Sequence, residues 1–203
     1  MKTIFLCSLA LLVSISAASA KGKKGGSKGG YSKGQSSLHI GIGYPSLINP
    51  SPDSLKYYGD VKKSGLPPIL ASFGYGLIDN VEVGGLLALS TCKYTVTDKS
   101  DSKDNGLSYT LIVVGARAAY HISLLKMLDT YVNVMGGYKL ALSSAFGENK
   151  FLVGPGGLFV PEKGGLVYSA HLGAAYSFTK NIGAFVELGY GVSIANLGVN
   201  IKF

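Results

Sequence analysis

The sequence has no tryptophan, a single arginine (Arg117) and only two cysteines, Cys7 and Cys92. Charged residues make up 15% of its 203 positions, where a soluble domain carries about 25%. So little charge beside 47% hydrophobic residues argues against an ordinary cytosolic enzyme. A disordered chain would be short of apolar residues instead. There is no glycine-every-third-residue period and no heptad, which excludes collagen-like and coiled-coil architectures. The N-terminal stretch IFLCSLALLVSI falls short of the ~20 apolar residues that a membrane-spanning helix needs. What is abundant is glycine, at 29 residues, and tyrosine, at 13. The length is that of one domain.

Residues 1–20 read as a cleaved signal peptide, with Lys2, the apolar stretch and the small-residue site Ala18-Ser19-Ala20. Its removal leaves Cys92 alone, so the mature chain is expected to hold no intramolecular disulfide and no thiolate metal cluster. The formal net charge is +8, and Lys21, Lys23, Lys24, Lys28 and Lys33 sit in the acid-free stretch KGKKGGSKGGYSKG. Glycine and lysine cannot bury a core, so residues 21–37 are read as a flexible Lys/Gly-rich periplasmic leader. Residues 38–203 are the folded domain. No aromatic or arginine-rich reading surface accompanies the lysines, so nucleic acid is not expected as a partner.

From residue 38 onward the apolar residues recur with a period of two, in eight segments: 38–44, 68–78, 80–96, 108–122, 128–142, 165–178, 181–190 and 193–203. Segment 165–178, for example, places Leu166, Tyr168, Ala170, Leu172, Ala174 and Tyr176 on one face. Ser169, His171, Gly173 and Ser177 lie on the other. A helical period of 3.6 would mix the two classes. Long connections (45–67, 97–107, 143–164) alternate with short ones (Asp79-Asn80, Thr179-Lys180) and a medium one near 123–127, and the last hairpin turns tightly at Gly191. Long loops at one end and short turns at the other are a habit of membrane β-barrels.

Alternation alone leaves open a soluble, lipocalin-like barrel with its apolar face inward. Three features argue for apolar-out. The less apolar face is rich in Gly, Ala and Ser, where a water-facing strand would prefer Thr, Lys and Glu because Gly weakens it; small residues fit inside a narrow eight-stranded barrel. Tyrosines fall at segment ends, with Tyr44, Tyr168 and Tyr190 toward one rim and Tyr75, Tyr120, Tyr176 and Phe203 toward the other. That forms two aromatic girdles, where amphipathic rings settle at the level of the lipid headgroups. Finally, the signal peptide delivers the chain beyond the inner membrane. In hydrocarbon every backbone amide must be paired, which strands achieve only in a closed sheet. The predicted fold is therefore all-β: an eight-stranded antiparallel up-and-down transmembrane β-barrel.

The ending NIGAFVELGYGVSIANLGVNIKF, with its terminal Phe203, resembles the last hairpin of OmpA/OmpX-like eight-stranded outer-membrane proteins. The stretch LDTYVNVMGGYKL resembles that family's fifth strand. The resemblance covers about residues 37–203 and implies a location in the outer membrane among lipid and lipopolysaccharide. It also implies that the closing strand and Phe203 are the signal read by the outer-membrane assembly machinery.

On the inward parity lie Glu82, Arg117, Asp129, Asn133, Lys139, His171, Glu187, Asn196 and Asn200. An unpaired charge in a narrow lumen is costly, so Arg117 is expected to pair, with Glu82 first and Glu187 across the lumen second. One reading is an ion-pair and hydrogen-bond network that fills the barrel; the other is a small polar channel. His39, His121 and His171 also have inward parity but unfavourable heights for one metal site, and neither metal nor cofactor is expected. His121-Ile122-Ser123 resembles the His-x-Ser pair of lipid A deacylase barrels, but lies at the wrong rim, and no catalytic residue is assigned. The long connections 45–67 and 143–164, the latter with FLVGPGGLFV, are where an extracellular ligand would bind. The functional expectation is a structural or adhesive, surface-binding outer-membrane protein, with a small porin-like channel or a lipid-modifying barrel enzyme as alternatives.

Overall fold

A computed structural model describes residues 31–49, 61–97, 104–125, 127–146 and 164–203. The signal peptide, most of the leader, residues 50–60 of the connection 45–67 and residues 147–163 of the connection 143–164, with FLVGPGGLFV, lie outside these described residues. The strands are β1 (Ser36–Ser46), β2 (Val61–Ser64), β3 (Ile69–Ile78), β4 (Val81–Thr97), β5 (Asp104–Leu125), β6 (Leu128–Phe146), β7 (Gly165–Ser177), β8 (Ile182–Tyr190) and β9 (Ser193–Lys202).

Every neighbouring pair is antiparallel, and the ring closes where β9 pairs with β1, from Ser37↔Lys202 to Ser46↔Ser193. β2 and β3 pair with successive stretches of the same strand, β4. They are two pieces of one barrel position, so the nine strands make an eight-membered ring. The interruption at residues 65–68 contains Pro67 and Pro68, which have no N–H to give a ladder. β2 lies in the stretch that the sequence pattern assigned to the connection 45–67.

The strands on one side are also longer than the alternation indicated. β4 and β5 pair as far as Thr97↔Asp104, and β5 and β6 as far as Gly106↔Phe146. Residues 97 and 104–107 of the expected loop 97–107, and 143–146 of loop 143–164, are thus strand. The outward residues approaching that end, Thr91, Lys93, Thr95, Thr110, Ser108 and Ser144, are polar, so the apolar period that marks a lipid-facing strand stops before the strand does. At the opposite end the turns are short. β3 and β4 are joined by Asp79-Asn80, where Asn80 adopts φ 64°, a left-handed conformation that Asn tolerates.

The end carrying Ser36, Phe203 and the short turns is called the turn end, and the other the loop end. β1 starts two residues earlier than the sequence pattern placed it. The five residues before it, Tyr31–Gln35, are held against the turn end rather than belonging to a free leader.

No helix among the described residues is long and apolar enough to cross a membrane; the strands present the apolar surface instead. Ile40, Ile42, Val114, Val132, Val134, Leu140, Leu172, Leu188, Leu197 and Val199 all point outward and are exposed, Leu188 at 58% and Leu172 at 66%. Inside, Glu82, Arg117, His121, Asp129 and Asn133 are buried.

Candidate functional site in the barrel lumen

The half of the lumen nearer the turn end is polar. Arg117 of β5 sits at its centre, 2.9 Å from Glu82 Oε1 of β4 and 3.0 Å from Glu187 Oε1 of β8. Glu187 also accepts from Tyr131 Oη and Asn133 Nδ2 of β6 and from Asn196 Nδ2 of β9, each at 3.0 Å. Glu82 accepts from Ser37 Oγ of β1 at 3.0 Å. Tyr131 lies beneath the guanidinium, its ring centroid 5.6 Å from Cζ. The pairing of a buried charge with an opposite charge and several donors is what a lumen closed to water requires.

A second cluster lies closer to the turn end. His121 Nδ1 is 3.0 Å from Asp129 Oδ2, its Nε2 is 3.5 Å from Glu82 Oε2, and Lys202 Nζ reaches Asp129 at 3.1 Å. Two glycines make room for these groups. A Cβ at Gly74 would meet Glu82 Cδ at 2.1 Å, and one at Gly173 would meet the Tyr131 ring at 2.3 Å.

The remaining sequence-singled residues fall elsewhere. His171 Nε2 is 2.9 Å from the Ser193 carbonyl. Lys139 Nζ lies 3.4 Å from the Ile48 carbonyl, at the loop end. His39 stacks on Phe185 with centroids 4.9 Å apart and contacts Asn200. The three histidines thus have separate surroundings. The side chain of Ser123 lies outside the described residues, and His121 turns inward to Asp129.

Sequence reasoning passed over four members of these clusters. Tyr131, Phe185 and Lys202 share the inward parity of Asn133, Glu187 and Asn200, and that parity was the available signal. Tyr31, the fourth, stacks on His121 and is the only aromatic residue in the leader.

The half nearer the loop end is filled differently. Leu70, Ala88, Cys92, Tyr94, Leu107, Tyr109, Leu111, Val113 and Met135 form a buried apolar cluster, joined by Ile48 and by Val192 from the last hairpin. Between the two halves, the cavity bounded by His39, Arg117, Phe185 and Glu187 measures about 10 Å³, which is at most a single water. A groove of about 480 Å³ opens at the loop end between the end of β1 and the β2–β3 break, lined by Tyr44, Pro45, Asn49, Lys63, Leu66 and Pro67 among others.

On the outer wall Tyr44, Tyr168 and Tyr190 are exposed near the loop end, and Tyr75, Tyr120 and Tyr176 near the turn end. The rings of Tyr168 and Tyr190 lie 6.2 Å apart. Phe203 is half exposed, and its N–H donates to the Ser36 carbonyl at 2.9 Å, at the seam between the two chain ends.

A soluble barrel would bury Leu172 and Leu188 and show Glu82 and Arg117 to water; this one does the reverse. Its paired backbone can sit in hydrocarbon because the ring has no open edge. No protein-family model matches the sequence, and no curated protein matches it either. Among solved structures, the chain is similar to the outer membrane protein OprG from Pseudomonas aeruginosa. The TM-score is 0.51 at 10% identity, over 87% of this chain and 99% of that one. The chain folds as an eight-stranded outer-membrane β-barrel. At that identity the likeness is one of architecture, as is the resemblance to OmpA/OmpX-like small barrels. The outer-membrane barrel reading accounts for the apolar wall and the aromatic rims together.

Proposed function

We propose that this outer-membrane barrel is a structural, surface-binding protein whose lumen is closed and whose loop end carries the binding surface. The observation behind the reading is the filled lumen: an ion-pair cluster toward the turn end, an apolar cluster toward the loop end, and about 10 Å³ of space beside Arg117. Among the described residues, the space beside Arg117 is too small for a hydrated ion, and nothing there supports the small-channel alternative. Among the described residues nothing supports the lipid-modifying alternative either: His121 is buried, with Asp129 at Nδ1 and Glu82 facing Nε2. The reading includes no catalytic step and no cofactor.

The loop-end groove between β1 and the β2–β3 break is the part of the 45–67 connection that supports binding, with Lys63 offering a cation and Tyr44 and Leu66 apolar contact. In this reading the turn end is periplasmic and the loop end faces outward. Lipopolysaccharide and lipid surround the wall, and the exposed Phe203 on the closing strand is offered to the assembly machinery. Planar-bilayer recording on refolded protein tests the closed lumen. Silence is expected, and stable nanosiemens-scale steps would reject the reading.

A further inference from the structure

The segment Tyr31–Gln35 runs into β1, and four hydrogen bonds fix it to the barrel while a fifth folds it on itself. Asn80 N–H donates to the Tyr31 carbonyl at 2.9 Å, Gly34 N–H to the Gly76 carbonyl at 2.8 Å and Gly76 N–H to the Gln35 carbonyl at 2.8 Å. Lys33 N–H donates to Asp79 Oδ1 at 2.9 Å, and Gln35 N–H closes the turn onto the Ser32 carbonyl at 3.1 Å. Gly34 takes φ 82°, a conformation that suits glycine.

This small turn delivers one side chain. The Tyr31 ring, 1% exposed, lies inside the turn-end mouth and stacks on His121 at 4.5 Å and 19°. Lys202 Nζ sits 5.8 Å from its centroid on the cationic side. Its hydroxyl lies near Ser37 and Glu82 without a well-formed hydrogen bond. Burial and the Glu82 carboxylate push the phenol well above its usual ionisation range, so a neutral ring fills the mouth. The contacts are those of the ring itself: stacking on an imidazole and a cation at its face.

We infer that the turn-end mouth is an aromatic socket, walled by His121, Glu82, Asp129 and Lys202, which Tyr31 occupies in cis. The ring is the seal that separates the luminal charge cluster from water at that end. The socket accepts a planar, uncharged, phenol-sized group. Because the ring belongs to the residues just before β1, anything that draws the leader away from the barrel also opens the mouth. The loop-end apolar cluster is untouched by that opening, so the opened barrel gains a one-ended vestibule and no pore.

The test uses the full chain with Cys7→Ser and Cys92→Ser, folded in lipid vesicles, and a reporter at Ser37→Cys, a buried position on the inward face of β1. The readout is the rate of modification by a charged methanethiosulfonate reagent. With Tyr31 in place the reaction is slow. Tyr31→Gly raises the rate by about tenfold or more, as expected when a local closure is lost. Millimolar p-cresol returns it toward the starting value, while cresol leaves the Tyr31 protein unchanged. Tyr31→Phe keeps the slow rate, because the hydroxyl holds no well-formed bond.

Gly76→Ala is a second route to the same opening, since its Cβ would meet the Ser32 carbonyl at 2.3 Å and push the turn away. It reads the seal even if Tyr31→Gly assembles poorly. Equal rates with and without the ring would overturn the seal. A Tyr31→Gly protein indifferent to p-cresol would overturn the socket.

Discussion

Replacing Arg117 by Met removes the one cation shared by two buried carboxylates. Arg117 is 5% exposed, and its two ion pairs measure 2.9 and 3.0 Å. Without it, Glu187 keeps its bonds from Tyr131, Asn133 and Asn196, and Glu82 keeps Ser37. Two anions are then left in a lumen whose adjoining cavity of about 10 Å³ cannot hydrate them. Breaking a buried pair by removing one partner costs about 3–5 kcal/mol. Because two carboxylates are orphaned here, the upper part of that range applies, about three powers of ten or more in the folding equilibrium.

The contrasting variant combines Arg117→Met with Glu82→Gln and Glu187→Gln. It removes both anions as well as the cation, so most of the stability returns, since a pair replaced as a whole is often neutral. The assay is a urea titration of protein folded in lipid vesicles, read by gel mobility of unboiled samples. The single variant losing less than about 1 kcal/mol, the worth of an exposed pair, would refute the reasoning. So would a triple variant as unstable as the single.

Leu188 points outward from β8 and is 58% exposed, so Leu188→Arg places a charge in hydrocarbon and should cost about 2–4 kcal/mol near the midplane. Val132→Arg on β6 should behave alike, and normal membrane insertion of both would contradict the assigned faces. Gly74→Ala forces Glu82 aside, since the new Cβ would lie 2.1 Å from Glu82 Cδ. A loss of about 1–3 kcal/mol by the same titration is expected from such overpacking, and an unchanged midpoint would contradict the packing. Deleting Phe203 removes the residue whose N–H meets the Ser36 carbonyl at the closing seam. Slower appearance of folded barrel in the membrane fraction is expected, and an unchanged rate would remove its signalling role.

The strand faces were legible wherever lipid forces them. Ile40 and Ile42, or Leu197 and Val199, alternate with small or polar residues because hydrocarbon and lumen make opposite demands at every second position. The signal failed in two places. In Leu111-Ile112-Val113-Val114 both faces are apolar, so Leu111 and Val113, which pack the loop-end cluster, could not be told from the lipid-facing pair. Toward the loop end the outward face turns polar, at Thr91, Lys93, Ser108 and Ser144, while Cys92 and Tyr94 keep the inward face apolar, and β5 and β6 extend to Asp104 and Phe146, beyond the segments 108–122 and 128–142. The groove beside the β2–β3 break was equally hidden, because two prolines announce an interruption without saying what opens there.

The one-dimensional pattern by itself determined the period, the ring of eight and the side that meets lipid, because each is set by how successive side chains partition between oil and a narrow interior. Only the closed three-dimensional ring decided which charges meet. Strand tilt and register bring Glu187, from β8 across the lumen, and Tyr131, from the neighbouring β6, onto Arg117, and parity carries no information about height. The same holds for Tyr31. Its residue type among lysines and glycines said only that it was unusual there, and its place in the mouth depends on hydrogen bonds to a turn that is distant in the chain.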